Sequence, residues 1–278
     1  MKSRLNYSTW KTNNQAILED LSDKKVMVPY SGGKDSSVVL YLIQKAAEEF
    51  DFSYEAHGVF FPANVYSAED VKKIDSYWHK RNVSIIWHKV PVSDECLAEA
   101  LKDGQSPCLT CTQTKKKILV SQLNRMISDW NSIVIVMSYS LWDLVSATLE
   151  HIATAAFSDK SYSSSLREKS SGERFIEIAQ RFYPMLKIKG GPTIYKPLIK
   201  YNDQDIHNFI SENSIPLTTT PCSYKEFRPK RTFATYYEKS DLFFDYSKVL
   251  DFVKKALNLP DISYYEEIDM EKYMTSVI

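Results

Sequence analysis

Residues Ser31-Gly32-Gly33-Lys34-Asp35-Ser36 end an apolar run and open a helical pattern, and their types suit phosphate. Gly32 and Gly33 let the backbone turn tightly and approach a ligand with no Cβ in the way. The N–H groups of the next helical turn attract an anion. Ser31 and Ser36 add hydroxyls, Lys34 adds a positive charge, and Asp35 beside a phosphate suits a Mg2+ ligand. The stretch is not a Walker A loop, because Val28 and Asp35 stand where that motif needs its first glycine and its Ser or Thr. It is not the G-x-G-x-x-G dinucleotide fingerprint either.

A second constellation is Cys108 and Cys111, in Ser-Pro-Cys-Leu-Thr-Cys, with Cys222 far along the chain in a similar Pro-Cys turn. A helix N-terminus favours thiolate over thiol. Three cysteines leave a tetrahedral shell incomplete, and zinc would need a fourth ligand such as His88 or His207. A 4Fe–4S cluster on three cysteines leaves one iron open to sulfide or substrate. A persulfide-carrying or redox-active pair without metal, or simply buried thiols, are the other readings. Cys96, in Cys-Leu-Ala-Glu-Ala-Leu, reads as a core residue. In the basic run at residues 225–231, Arg228, Lys230 and Arg231 could hold pyrophosphate or a nucleic-acid backbone if that loop folds beside the phosphate site; otherwise it is a solvated loop.

The elements that must position these residues alternate strand and helix. Apolar strands are expected at 25–30, 57–61, 83–92, 132–137 and 193–199. Helices are expected at 12–22, 36–50, 67–82, 110–130, 141–157 and 203–213. That alternation predicts an α/β fold: a doubly wound, mostly parallel sheet with helices on both faces. Ligands then bind beyond the C-terminal ends of the strands, where the glycine turn, residues 59–61 and residues 137–139 should meet. Residues 158–192, Ser-rich at first, are expected to form an insertion or lid on a domain of residues 1–232. Residues 233–278 read as a small helical C-terminal appendage.

With 278 residues, 44% hydrophobic and 25% charged, the composition is that of a water-soluble globular protein. No apolar stretch is long enough for a membrane span, and the polar N-terminus leads to the expectation of a cytoplasmic protein with reduced thiols. Lys plus Arg and Asp plus Glu each number 35, so net charge is zero. That argues against a large non-specific nucleic-acid footprint and leaves room for a local basic patch.

SGGKDS at the end of a first strand resembles the PP-loop of the N-type ATP pyrophosphatases, over roughly residues 24–232. Resemblance implies cleavage of ATP between its α and β phosphates, adenylation of a carbonyl oxygen, and displacement of AMP by a nucleophile. The CxxC pair with one distant cysteine is similar to the tRNA 2-thiocytidine synthetases and the cluster-dependent 2-thiouridine synthetases. In those families three such cysteines hold a 4Fe–4S cluster beside the ATP site, which here implies Cys108, Cys111 and Cys222. Lys115 matches a catalytic lysine of the 2-thiouridine branch, and residues 193–206 resemble an R-P-L segment with Lys196 for arginine. Of the family's G-H-x-x-D-D segment only Asp143 survives, as a metal-binding or catalytic carboxylate.

The expectation is an ATP- and Mg2+-dependent sulfurtransferase. Ser31 to Ser36 hold the phosphates, Val59, Phe60, Phe61 and Ser138 wrap the adenine, and Asp35, Lys115 and Asp143 serve the chemistry. The acceptor is a tRNA pyrimidine or a related base, the sulfur comes from sulfide or a cysteine desulfurase, no membrane is involved, and a homodimer stays open. The alternatives are thiolation of a free nucleobase, nucleotide or other small molecule, as in a thiopurine, and a cluster-free amide ligase.

Overall fold

A computed structural model describes residues 4–61, 66–157, 170–227 and 229–276. Strand β1 (Lys25–Tyr30) leads into helix α2 (Lys34–Phe50), and β2 (Ser53–Phe60) into α3 (Ala68–His79). Strand β3 (Ile85–Lys89) is followed by α4 (Glu95–Lys102) and α5 (Pro107–Met126), and β4 (Ile133–Val136) by α6 (Leu141–Phe157). Helix α1 (Tyr7–Glu19) precedes this series; α7 (Ser171–Ala179), β5 (Met185–Lys187), β6 (Thr193–Tyr195) and α8 (Asp203–Glu212) follow it. The chain ends in α9 (Pro229–Lys239), α10 (Tyr246–Ala256), α11 (Ile262–Glu266) and α12 (Met270–Ser276).

The six strands form one sheet in the order β3-β2-β1-β4-β6-β5. All neighbours are parallel except β5, which runs antiparallel to β6 at the edge. The strand order reverses between β1 and β4, which is where a doubly wound sheet opens a ligand crevice. Pro29 helps to open it. Pairing of β1 with β4 stops at Met27 opposite Ile135, so the missing Pro29 N–H leaves no broken bond on that side. Pairing with β2 continues to Tyr30 opposite Gly58.

Side chains of β1 alternate between two cores. Val26 and Val28 join α1, α2 and α8 on one face, whereas Met27 joins β4, α6 and α7 on the other. Helix α2 is buried without a break from Ser36 to Gln44, because it is covered both by the sheet and by α1 and α8. The boundary expected at residue 232 falls inside α9, and Val253, Tyr265 and Tyr273 sit fully buried in the same cluster as Ile133 and Ile194. Among the described residues no helix is long and apolar enough to cross a membrane.

Several boundaries differ from the sequence expectation. Helix α1 starts at Tyr7 because Asn6 caps it, its side chain accepting from the Thr9 N–H. Helix α5 starts earlier, at Pro107, which suits a first helical position. Strand β6 stops at Tyr195, two residues before Pro197. Helices α4 and α7 and strand β5 were not expected. Of the segment expected as a lid, residues 158–169 lie outside the described residues.

Candidate active site

Three helix N-termini meet at the crevice: those of α2, α6 and α8. Their partial positive ends converge on the space above β1 and β4. Gly32 takes φ +66°, and a Cβ there would come within 2.6 Å of the Thr218 methyl, so the turn requires glycine. Ser36 holds the loop from inside: its Oγ lies 2.9 Å from Ser31 Oγ, accepts the Ser31 N–H at 3.1 Å and donates to the Gly33 carbonyl at 3.1 Å.

Lys34 Nζ sits between two carboxylates, 2.7 Å from Asp35 Oδ1 and 2.9 Å from Asp203 Oδ2. Burial alone would lower its pKa, but Asp35 and Asp203 outweigh burial and hold it above the ordinary lysine value. Asp203 is only 3% exposed, and that burial raises its carboxyl despite Lys34. The Ser140 hydroxyl lies 3.1 Å from Asp143 Oδ2 and 3.2 Å from Asp203 Oδ1, and its single proton can serve one of them at a time. Asp143 also accepts the Ser140 N–H at 2.8 Å, and its other oxygen pairs with Lys230. Asp143 therefore caps its own helix and joins the charged network at once. Burial lowers the Lys230 ammonium to about 8, with Asp35 pulling it back up and Lys34 pushing it down.

Mg2+ usually takes one or two carboxylates and fills the rest of its shell with phosphate and water. Asp35, the more open carboxylate beside Lys34, fits that role.

The segment after α8 joins the Gly32 loop to the cysteines. The Thr218 N–H donates to the Gly32 carbonyl at 3.0 Å. Asp70 on α3 then accepts four hydrogen bonds, from the backbone and hydroxyls of Thr219 and Thr220, at 2.7 to 3.1 Å. Cys222 comes next, and the Tyr224 carbonyl accepts from the Cys108 thiol at 3.5 Å. Cys111 packs with Tyr224 against Val59, Phe61, Val90 and Leu97. Its thiol is near enough to Tyr66 to help raise that phenol, after burial and Tyr30. The Tyr66 hydroxyl in turn donates to the Ser31 carbonyl.

Asp70 locks this segment. Its four hydrogen bonds outweigh the effect of burial and hold its carboxyl well below the usual range. Asp70→Ala should cost about 3 kcal/mol at neutral pH, read by denaturant unfolding. The folded pKa is depressed, so the contribution is full above the ordinary value of 3.8 and fades as pH falls below it. The gap between wild type and variant should therefore close in acid; a gap constant from pH 7 to 3 would contradict the assignment.

Other expected residues are placed differently. Val59 and Phe61 bury their side chains in the core, because alternation along β2 turns only Phe60 outward. The Phe60 ring stands against Tyr66 and Trp87 and borders a hollow of about 570 Å3. Ser138 is half-buried just beyond β4. Lys115 is half-buried on α5, in helical register with Cys108 and Cys111. Lys196 is buried away from the crevice, donating to the Tyr183 carbonyl at 3.0 Å, and burial with Arg181 lowers it to about 7.

All four cysteines are half-buried and none forms a disulfide. His88 is hydrogen-bonded to His57 at 2.9 Å and His207 is exposed on α8. Among the described residues no three His, Cys, Asp or Glu side chains converge tightly enough to hold one metal ion. A cluster makes a different demand, since each cysteine meets its own iron. Cys108 and Cys111 on α5 and Cys222 on the segment that meets it through Tyr224 are thiols of the type such a cluster takes. Sequence reasoning missed Asp203, Asp70 and Ser140; the acidic N-terminus of α8, just after the 193–199 strand, was the available signal for Asp203.

No family model and no curated protein matches this chain at the sequence level. Solved structures do match its fold. The U34-tRNA thiolase NcsA from Methanococcus maripaludis, solved with its [4Fe-4S] cluster, is 13% identical and superposes with a TM-score of 0.59, over 92% of this chain and 81% of that one. NMN synthetase from Francisella tularensis, 10% identical, gives 0.47 over 94% and 93% of the two chains. NAD+ synthetase from Burkholderia pseudomallei, 12% identical, gives 0.42 over 92% and 94%. The doubly wound α/β architecture expected from the sequence is thus the one this chain adopts, and it is the fold of the U34-tRNA thiolase.

Proposed function

We propose that this chain is an ATP-dependent sulfurtransferase that forms AMP and pyrophosphate while replacing a carbonyl oxygen of a base, in tRNA, with sulfur. One observation carries the reading. The segment that starts on the Gly32 carbonyl at Thr218 reaches Cys222, touches Cys108 through Tyr224, and ends with Lys230 on Asp143. One stretch of backbone thereby joins the glycine loop to the cysteine-bearing segments.

The backbone of residues 31–36 and the Lys34 ammonium bind the ATP phosphates, and Asp203 holds Lys34 in place. The base carbonyl oxygen attacks the α-phosphorus and pyrophosphate leaves. Lys34 and Lys230 receive the negative charge that builds on the leaving group. Asp35 would hold Mg2+, which neutralises the same charge when bound. Sulfide then adds at the activated carbon, and AMP departs with the former carbonyl oxygen. Lys115 stabilises the charge on that oxygen. Cys108, Cys111 and Cys222 would hold a 4Fe–4S cluster, whose open iron supplies a binding place for sulfide.

The test is anaerobic purification with assays of iron and acid-labile sulfide, then incubation with ATP, Mg2+, sulfide and unmodified tRNA. About four irons per chain, and AMP, pyrophosphate and thiolated nucleoside in equal amounts, are expected. AMP release without sulfur incorporation would sink the sulfur half of the proposal. Thiolation of free bases but not of tRNA would replace the acceptor.

A further inference from the structure

Helix α5 carries Cys108 and Cys111 at its start and a run of cations further along. Two adjoining hollows, of about 700 and 490 Å3, open against this helix and share Lys117, Ser121 and Arg125 as lining. Lys116 lines the first hollow and Lys89, from the end of edge strand β3, lines the second. Among the described residues no Asp or Glu lines either one. In a chain of zero net charge, such a groove is a local concentration of positive charge rather than a sample of the average surface.

Its dimensions and chemistry suit a polyanionic strand. Lys117 and Arg125 are exposed and stand about 12 Å apart along the helix axis. Gln113, Ser121 and Asn124 lie between and beside them as neutral hydrogen-bonding groups, of the kind that contact sugars and phosphate oxygens. From Lys117 the helix runs back about 9 Å to Cys111. Ile118 and Gln122, seven and eleven residues on from Cys111 and so on its side of the helix, line the second hollow, which is therefore the part of the groove on the thiol side.

We propose that this groove docks the sugar–phosphate backbone of an RNA strand and so delivers a base of that strand, not a free base, to the cysteines. The choice of RNA rests on the proposed function; the groove and its charge do not. Cationic side chains provide affinity through phosphate contacts and little sequence preference, leaving the choice of base to the crevice.

The test is equilibrium binding of a fluorescent, unmodified tRNA transcript to the full chain over a range of salt concentrations, without turnover. Lys117→Ala/Arg125→Ala should weaken binding at least tenfold and reduce the salt slope by about 2. The control Lys254→Ala/Lys255→Ala removes the same charge from exposed positions on α10 and should bind within twofold of wild type. Equal losses in both variants, no loss in the groove variant, or wild type that binds anionic vesicles but not tRNA would each overturn the groove. The readouts separate this proposal from the sulfur chemistry. Thiolation of tRNA with an unaffected groove variant would reject the groove and keep the reaction; groove-dependent binding with no thiolated product would do the reverse.

Discussion

Lys34→Ala should lower AMP and pyrophosphate formation by about 10²–10³-fold, because in the proposed reaction the ammonium receives the charge that develops on the leaving group. It should also weaken the fold. Without Lys34, Asp203 stays almost fully buried, and its salt-bridge partner is gone while Asp35 remains beside it. Stranding a buried charge in this way costs about 3–5 kcal/mol. A loss of activity in this variant alone could therefore be a loss of structure. Lys34→Ala/Asp203→Asn separates the two. Removing the stranded charge should restore most of the melting temperature, while turnover stays low because no cation has been returned to the phosphates. Recovery of turnover together with stability would show that Lys34 acts only by holding the fold. Iron content should be unaffected in both variants.

The sequence carried the frame well where chemistry and periodicity coincide. SGGKDS needs a strand before it and a helix after it, and both are present as β1 and α2. Alternation of strands and helices set the parallel core of the sheet. What escaped is long-range or irregular. Asp203 belongs to the site only because α8 brings its first turn over to Lys34, and no local spacing announces that contact. Residues 218–224 have neither helical nor strand periodicity, yet their backbone is fixed by Asp70 and by the Gly32 carbonyl. Strand β5 has three residues, too few to show a period. At the end of β2 the side chains of Val59 and Phe61 turn into the core and only that of Phe60 faces out, so whatever Val59 and Phe61 offer the crevice is backbone. Asp143 makes two contacts at once, accepting the Ser140 N–H at the start of α6 and pairing with Lys230.

The second large effect concerns sulfur. Cys108→Ala, Cys111→Ala and Cys222→Ala should each lose the iron and lower thiolation at least ~10³-fold. The triple variant should be no worse than any single one, because groups that act as a unit do not contribute additively. Adenylation should survive, since none of the three thiols belongs to the Lys34, Asp35, Asp203 and Asp143 network. Acceptor-dependent exchange of labelled pyrophosphate into ATP should stay within a few-fold of wild type. Folding should change little: all three side chains are half-buried, and losing one sulfur costs about 1 kcal/mol. Cys96→Ala is the internal control. It lies in the same apolar cluster as Cys111 but on α4, and it should keep both iron and thiolation. This pattern is the mirror image of Lys34→Ala, which keeps iron and loses adenylation. The contrast gives the proposal its sharpest exposure, because a nucleophile other than sulfur would leave the cysteines idle. Full turnover in the triple alanine variant, with pyrophosphate still released, would identify an amide-forming ligase built on the same phosphate loop.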